Sequence, residues 1–323
     1  MPAAKTVPAF TDNQRNTAHS LLAAKVARMM GRKLEEGDWA EVYCRAKELP
    51  PTTWSNVDMD IRYGGLGIEQ KMLRRSSRKD IDEACGTWLM HPSATRAFNL
   101  PEADSTPKDA MRFVLEQYAN LINKRRTELK ANSPDGSVDL RSGWLLWQER
   151  LRQFLYFEEP LVAPNPKDFY ADWKKHERTG SRRSTRNLWI YDRKTKQKRF
   201  SVTTEAGAKI QPYFQVPPSN DPNLYIFTVI GEVIMDGMVR CWLTRTTWHD
   251  LENLLGTVNS QTISKAIQEH LAELPAAEAG PVVQEPAQPL DIAAETYALL
   301  TSRLPGVNDD HCFQLLIRLL RRR

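Results

Sequence analysis

The sequence predicts an α/β fold with a mixed central sheet covered on both faces by helices and followed by a small helical tail. Segments of helical period and segments of strand period are interleaved along the chain instead of being gathered into separate halves. Their order is not a regular βαβ series. An antiparallel hairpin follows two helices, and further strands follow a long helix. No internal repeat is evident.

Residues 12–31 read as a helix, with Thr11 or Asp12 as the cap, Leu21, Leu22, Val26 and Met29 as the apolar face, and Gly31 as the stop. A second helix is expected over 38–48, ended by Pro50-Pro51. The segment from Asn56 to Leu73 reads as a strand, a Gly64-Gly65 turn and a return strand. Residues 79–107 read as a short helix and loops. Lys108 to Lys130 is a long helix, with Phe113, Leu115, Tyr118, Leu121 and Ile122 on its buried side. Residues 142–147 and 154–157 suit strands, although a helix would also bring Leu145, Leu151 and Leu155 onto related faces. Residues 172–187 read as a flexible basic loop, and 187–204 as a hairpin. Strands rich in Ile, Val, Phe and Trp follow at 224–230 and 238–244. Thr247 to Asp250 suggests a capping box whose helix Gly256 closes, and a helix covers 260–273. The resulting division is a main domain over 1–274 with a basic insertion at about 172–200, a Pro/Ala/Glu-rich linker over 275–290, and a helical tail over 291–323. The tail's apolar face, Phe313 to Leu320, suits docking on the body or on a second subunit.

The 323 residues carry a formal net charge of +5, with 41% hydrophobic and 26% charged residues, which suits a soluble globular chain with a sizeable core. No apolar run reaches the roughly 20 residues that span a bilayer, and the first residues lack the apolar core of a signal peptide. Cys44, Cys85, Cys241 and Cys312 are widely separated, without CxxC or zinc-finger spacing. A reducing cytoplasm is the expected compartment. The charge is unevenly spread. Lys174, Lys175, Arg178, Arg182, Arg183, Arg186, Arg193, Lys194, Lys196, Lys198 and Arg199 crowd one segment, and Lys71, Arg74, Arg75, Arg78 and Lys79 another. Such clusters release counterions from a phosphate backbone, as a DNA surface requires; the plain alternative is a solvated basic strip.

The hairpin carries the chemistry. Val57, Met59 and Ile61 alternate with Asp58, Asp60 and Arg62, and beyond the turn Leu66, Ile68, Gln70 and Met72 alternate with Glu69 and Lys71. Asp60 and Glu69 stand about equally far from the turn, so pairing brings two carboxylates together. Two converging carboxylates suit a hard cation such as Mg²⁺, and Lys71 points the same way. Three other acid-x-Lys triplets, at Glu128, Asp172 and Asp192, lack an upstream acid on a paired strand. The plain reading of the Glu69 triplet is a hairpin whose solvent face happens to carry acids and a lysine.

Asp60, eight intervening residues and then Glu69-Gln70-Lys71 resemble the PD-(D/E)XK nuclease superfamily, and within it the type II restriction endonucleases. Asp58, with ten intervening residues, is the alternative first acid. The literal proline before the acid is absent. The family's helical glutamate corresponds to Glu41, in a helix that also offers Glu36 and Glu48. The motif-level resemblance covers about residues 10–75. It implies a restriction-endonuclease-like α/β core. It also implies Mg²⁺ held by Asp60 and Glu69, with Gln70 (through its carbonyl) or Ile68 completing the shell, and hydrolysis of double-stranded DNA to a 5′-phosphate and a 3′-hydroxyl. Lys71 would position or activate the attacking water. Arg74, Arg75, Arg182, Arg183, Arg186 and Lys194 are the expected DNA-binding residues, some of them reading guanine O6 and N7. A homodimer is expected, because a palindrome is most simply read by a two-fold protein.

Other candidates carry less. His249 reads as a helix-start residue, His91 has no role, and the nine tryptophans read as core and structural residues. Gly64-Gly65-Leu66-Gly67 lacks a phosphate-loop lysine and a following helix. A repair, resolvase or transposition nuclease would use the same triad; a non-catalytic DNA-binding protein would use only the basic segment.

Overall fold

The computed structural model describes residues 6–29, 34–51, 59–75, 80–92, 97–99, 105–148, 150–176, 185–203, 208–235, 237–270, 286–302 and 307–321. Thr11 opens α1 (Asp12–Ala27) with a reciprocal capping box: its hydroxyl accepts from Gln14 N, and the Gln14 side chain accepts from Thr11 N. The next helix, α2 (Glu36–Ala46), starts two residues earlier than the sequence suggested, because Glu35 and Asp38 cap each other's backbone amides. That shift puts Glu36 in the first turn.

The hairpin forms as β1 (Ile61–Tyr63) and β2 (Leu66–Arg75). Gly64 takes a positive φ of 54° at the turn, a region open to glycine at little cost. Gly65 is needed for space: a Cβ there would lie 2.3 Å from the Ser137 carbonyl oxygen. The backbone just before β5 (Asp139–Gln148) therefore passes directly over the turn, and Asp139 N donates to Gly65 O at 2.9 Å.

The chain between β2 and β5 contains a short 3-10 turn over Ile81–Ala84, β3 (Trp88–Met90), β4 (Ala97–Phe98) and α3 (Pro107–Asn132). β5 then returns parallel to β2 over ten residue pairs, from Leu66↔Asp139 to Arg75↔Gln148. With β6 (Gln153–Pro160) and β11 (Tyr225–Thr228) the first sheet runs β1-β2-β5-β6-β11, mixed in direction. Residues 142–147 and 154–157 are thus strands. The helix alternative for 145–155 fails because Leu151 sits at a positive φ of 56° in the connection between them.

One face of this sheet carries Ile68, Leu145, Trp147, Phe154, Tyr156 and Phe227 against α1 and α2, with Phe10, Trp39 and Tyr43 completing an aromatic core. The other face is split. Leu140 meets Ile122 and Leu129 of α3, while Trp144, Leu146, Leu155 and Phe157 meet Ile81, Ala84 and Phe214. Trp144 and Phe214 stack at 3.9 Å.

A second sheet, β3-β10-β9-β8-β7 with β4 beside β10, is built from β7 (Phe169–His176), β8 (Thr185–Asp192), β9 (Lys198–Thr203) and β10 (Ala208–Gln215). The N-terminal half of α3 packs on it through Ala110, Met111, Val114 and Leu115. Phe113, expected on the buried side, is exposed. Residues 172–176 and 185–187, expected as flexible loop, are strand. Ala171, Trp173 and Leu188 keep an inward period of two through this run, and Arg186 lies on Trp173, so charge density masked the strand pattern. The expected 187–204 hairpin is β8 and β9.

The last part is a third sheet, β12 (Glu232–Val233), β13 (Met238–Leu243) and β14 (Gln288–Ala293), with α4 (Arg245–Leu255), α5 (Ser260–His270), α6 (Ala294–Ser302) and α7 (Asp309–Leu320). The cap of α4 is Thr244, whose side chain accepts from Thr247 N, so the capping box expected at Thr247 lies three residues too late. Gly256 closes the helix as expected. The proposed linker over 275–290 needs correction where it is described. Gln288 and Pro289 pair with Leu243 and Trp242, and the tail shares one core with β13, α4 and α5 through Ile263, Ile267, Leu290, Phe313 and Leu316. No helix among the described residues is long and apolar enough to cross a membrane.

Candidate active site

Register builds the site. Ile61 pairs with Ile68, so the next step outward sets Asp60 across from Glu69, and an Asp60 carboxylate oxygen accepts from Gln70 N at 2.7 Å. Among the described residues, no strand pairs with β2 beyond Ile68 on that edge. The N–H and C=O of one strand residue face the same edge, so the Gln70 carbonyl also points towards Asp60. The Gln70 side chain lies on the opposite face, where its amide donates to the Tyr156 hydroxyl at 3.1 Å. Of Gln70, only the backbone belongs to the site.

Glu69 and Lys71 share the face covered by α3. Lys71 Nζ lies 2.7 Å from Glu69 Oε1, and Arg125 of α3 donates to Oε2. All three are deeply set, with relative exposures of 5% for Glu69, 7% for Lys71 and 4% for Arg125. Burial alone would push the Glu69 carboxyl up strongly, but the two cations outweigh it and hold Glu69 down to about 2. Asp60 behaves oppositely. Burial pushes it up to about 6, Glu36 and Glu69 push the same way, and Lys71 and the Gln70 amide offset only part of this. Tyr118 of α3, partly buried, is pushed up by desolvation and then by the Glu69 charge.

Glu36, at the first turn of α2, belongs to this group. Burial raises its carboxyl, with Lys71 pulling it down and Glu69 pushing it up. It also lines an open groove of about 680 Å³ at the edge of β2, together with Leu34, Met72, Arg74 and Trp147. Glu41, the helical glutamate chosen from the sequence, lies elsewhere on α2. It pairs with Lys25 of α1 and stands 3.8 Å from Arg45. The later cap of the sequence-based helix hid this difference. Arg125 was missed altogether. Its signal was an arginine on the buried stripe Ile122-Arg125-Leu129 of an amphipathic helix.

Asp58, Arg182 and Arg183 lie outside the described residues. Arg74 is exposed at the groove, whereas Arg75 turns inward with a buried Nη1 that has no hydrogen-bond partner among the described residues. Arg186 stacks on Trp173, its guanidinium 4.0 Å from the ring centroid, and Lys194 is exposed in the β8–β9 turn. His249 lies inside the first turns of α4, 3.6 Å from Glu252. His91 is buried, with Nε2 3.0 Å from the Met72 carbonyl oxygen, which ties the β3 end to β2.

Among the described residues no group of three His, Cys, Asp or Glu side chains stands close enough to hold a metal ion unaided. The donor chemistry suits Mg²⁺ all the same. That ion takes one or two carboxylates, keeps several waters and draws further oxygens from phosphate. Asp60, Glu69 and the Gln70 carbonyl are all hard oxygen donors.

The fold and site together define an α/β protein with a mixed sheet and flanking helices, carrying an acid–lysine cluster on a β-hairpin. Comparison with family models, with curated proteins and with solved structures finds no match.

Proposed function

We propose that the chain is a Mg²⁺-dependent endonuclease of the PD-(D/E)XK type, hydrolysing phosphodiester bonds of double-stranded DNA, and most specifically a homodimeric type II restriction enzyme. The observation that carries this is the hairpin register, which sets Asp60 across from Glu69 with Lys71 bonded to Glu69. Bound at Asp60, Glu69 and the Gln70 carbonyl, Mg²⁺ would supply Lewis-acid stabilisation of phosphate charge and a more acidic water. The protein's own part is positional. The Gln70 amide holds the Asp60 carboxylate at the strand edge, and Arg125 fixes Glu69 from behind. The Lys71 ammonium stands on the other Glu69 oxygen, where it can orient a water or meet developing negative charge. Arg74, which lines the same groove as Glu36, supplies a phosphate contact there.

Plasmid DNA incubated with Mg²⁺ is expected to be cut into discrete fragments, with no cutting in EDTA or by Lys71→Ala. Intact plasmid under all conditions would remove the reading, and unspecific degradation would leave only the repair or resolvase form of it. A matching expectation separates the two helical glutamates. Glu36→Gln should slow cleavage by about 10–100-fold, as the loss of an outer-shell partner does. Glu41→Gln should leave the initial rate unchanged. Equal effects at both positions would count against Glu36 as a site residue.

One observation favours a second reading. Lys71 and Arg125 both pair with Glu69 in a nearly sealed triad that ties α3 to the sheet, an arrangement a purely structural ion cluster would also have. In that reading the protein binds DNA without cutting it.

A further inference from the structure

Alternation gives the second sheet two unlike faces. The inner one carries Leu188, Ile190, Val202 and Ile210 against α3. The outer one carries Tyr170 on β7, Trp189 and Tyr191 on β8, and Tyr213 on β10, all four partly exposed. Tyr170 and Tyr191 are register partners whose rings stack at 5.2 Å. The register of β8 with β9 slips between Ile190 and Tyr191, so that Lys198 instead of Arg199 faces Tyr191. Such bulges re-aim side chains. Here the result is an ammonium 3.2 Å from the Trp189 centroid and 4.8 Å from that of Tyr213. Lys196, from the adjoining turn, stands 5.3 Å from the Tyr170 centroid. Asp172 also faces outward, on the edge strand β7, where it is exposed.

Four flat rings interleaved with two ammonium groups, on an open sheet, make a surface with two matched chemistries. The rings offer apolar planes and the lysines offer positive charge at the same spacing scale. Unpaired nucleotides present both complements, a π-face and a phosphate, on each unit of one chain. A duplex keeps its bases stacked on each other and would leave the rings unused. An acidic peptide would use the lysines alone. Burial lowers the Lys198 ammonium to about 8, so this half-dry cation gains directly from a phosphate.

We propose that the outer face of the second sheet binds single-stranded nucleic acid, with bases stacking on Tyr170, Tyr191, Trp189 and Tyr213 while Lys196 and Lys198 meet the phosphates. This surface faces away from α3, whose other half covers Glu69, and the inference does not rest on the nuclease reading.

The test uses the full chain in EDTA and the fluorescence anisotropy of labelled oligothymidylate, an abasic strand of equal length and charge, and a duplex. Thymidylate is expected to bind about tenfold or more tightly than the abasic strand, the scale of base–aromatic stacking. Trp189→Leu and Tyr191→Leu should each remove about tenfold of thymidylate affinity while leaving abasic binding unchanged. Lys198→Gln should weaken both strands and flatten their salt dependence. Asp60→Asn, which alters only the acid cluster, should bind thymidylate as the wild type does. Equal affinity of the wild type for thymidylate and abasic strands would overturn the proposal without any variant. So would competition by duplex or polyglutamate as effective as by thymidylate, or a loss of thymidylate binding in Asp60→Asn.

Discussion

Glu69→Gln is expected to lower the free energy of unfolding by about 3–5 kcal/mol, the usual penalty for stripping one partner from a buried ion cluster. The carboxylate stands between two cations that are almost as deeply buried as itself. With an amide in its place, Lys71 and Arg125 keep their charges with no counter-charge between them, and an amide N–H must face one of two donors. Arg125→Met should cost less, about 1.5–3 kcal/mol, because Lys71 keeps its carboxylate and only one charged hydrogen bond is lost. Urea titrations of both variants at pH 8 in EDTA check the order. A loss below about 1 kcal/mol for Glu69→Gln would mean that water reaches the cluster and that its three charges are not coupled. The pH dependence has a definite sign. A carboxyl held below its unfolded value stabilises the fold above that value. The contribution disappears as pH falls from about 4.5 to about 2, so acid should unfold the wild type through this group, among others.

What the sequence made legible is the part of the site that is local in the chain. The alternation either side of Gly64-Gly65 defines which residues share a face, and counting outward from the turn brings Asp60 to Glu69. Arg125 escaped because it reaches Glu69 from 56 residues away, through a crossover whose length and direction no local pattern encodes. Glu36, one of the three glutamates that the sequence offered in this helix, was placed behind Glu41 for a smaller reason. The capping exchange of Glu35 with Asp38 moves the start of α2 back by two residues, and that decides which glutamate meets the strand edge. In the second sheet, residues 172–187 hold six lysines and arginines, so the segment read as loop although Ala171, Trp173 and Leu188 keep the alternation of β7 and β8. The tail read as separate because the Pro-rich stretch before β14 looks like a boundary, while the pairing of β14 with β13 bridges about fifty residues of chain (Met238↔Ala293). For Arg125 and the tail the missing information was non-local, whereas the start of α2 and the alternation of β7 and β8 are local signals that stronger ones outweighed.

Asp60→Asn is expected to do the reverse of Glu69→Gln: in EDTA at pH 8 it should stabilise the protein, by about 0.5–2 kcal/mol, the usual gain from relieving a strained functional group. Burial raises the Asp60 carboxyl to about 6, and Glu36 and Glu69 add repulsion. Between about 3.8 and about 6 the unfolded chain has released this proton and the folded protein still holds it. Stability is therefore lost as pH rises through that window and stays lost above it. Asparagine never ionises, and its carbonyl can still accept from Gln70 N, so the variant escapes the cost. The gain should shrink from pH 8 to pH 5 and vanish near pH 4. Mg²⁺ should then invert the order. A cation bound by the folded protein alone stabilises it by mass action, and the wild type has the charged donor that the variant lacks. Thermal unfolding with and without Mg²⁺ at pH 8 separates the two readings of the cluster, apart from any assay of cutting. An acid kept at a cost to the fold, whose cost the ion cancels, belongs to a metal-dependent site. A Tm that ignores Mg²⁺ in both proteins would leave Asp60, Glu69 and Lys71 as a strut between hairpin and helix.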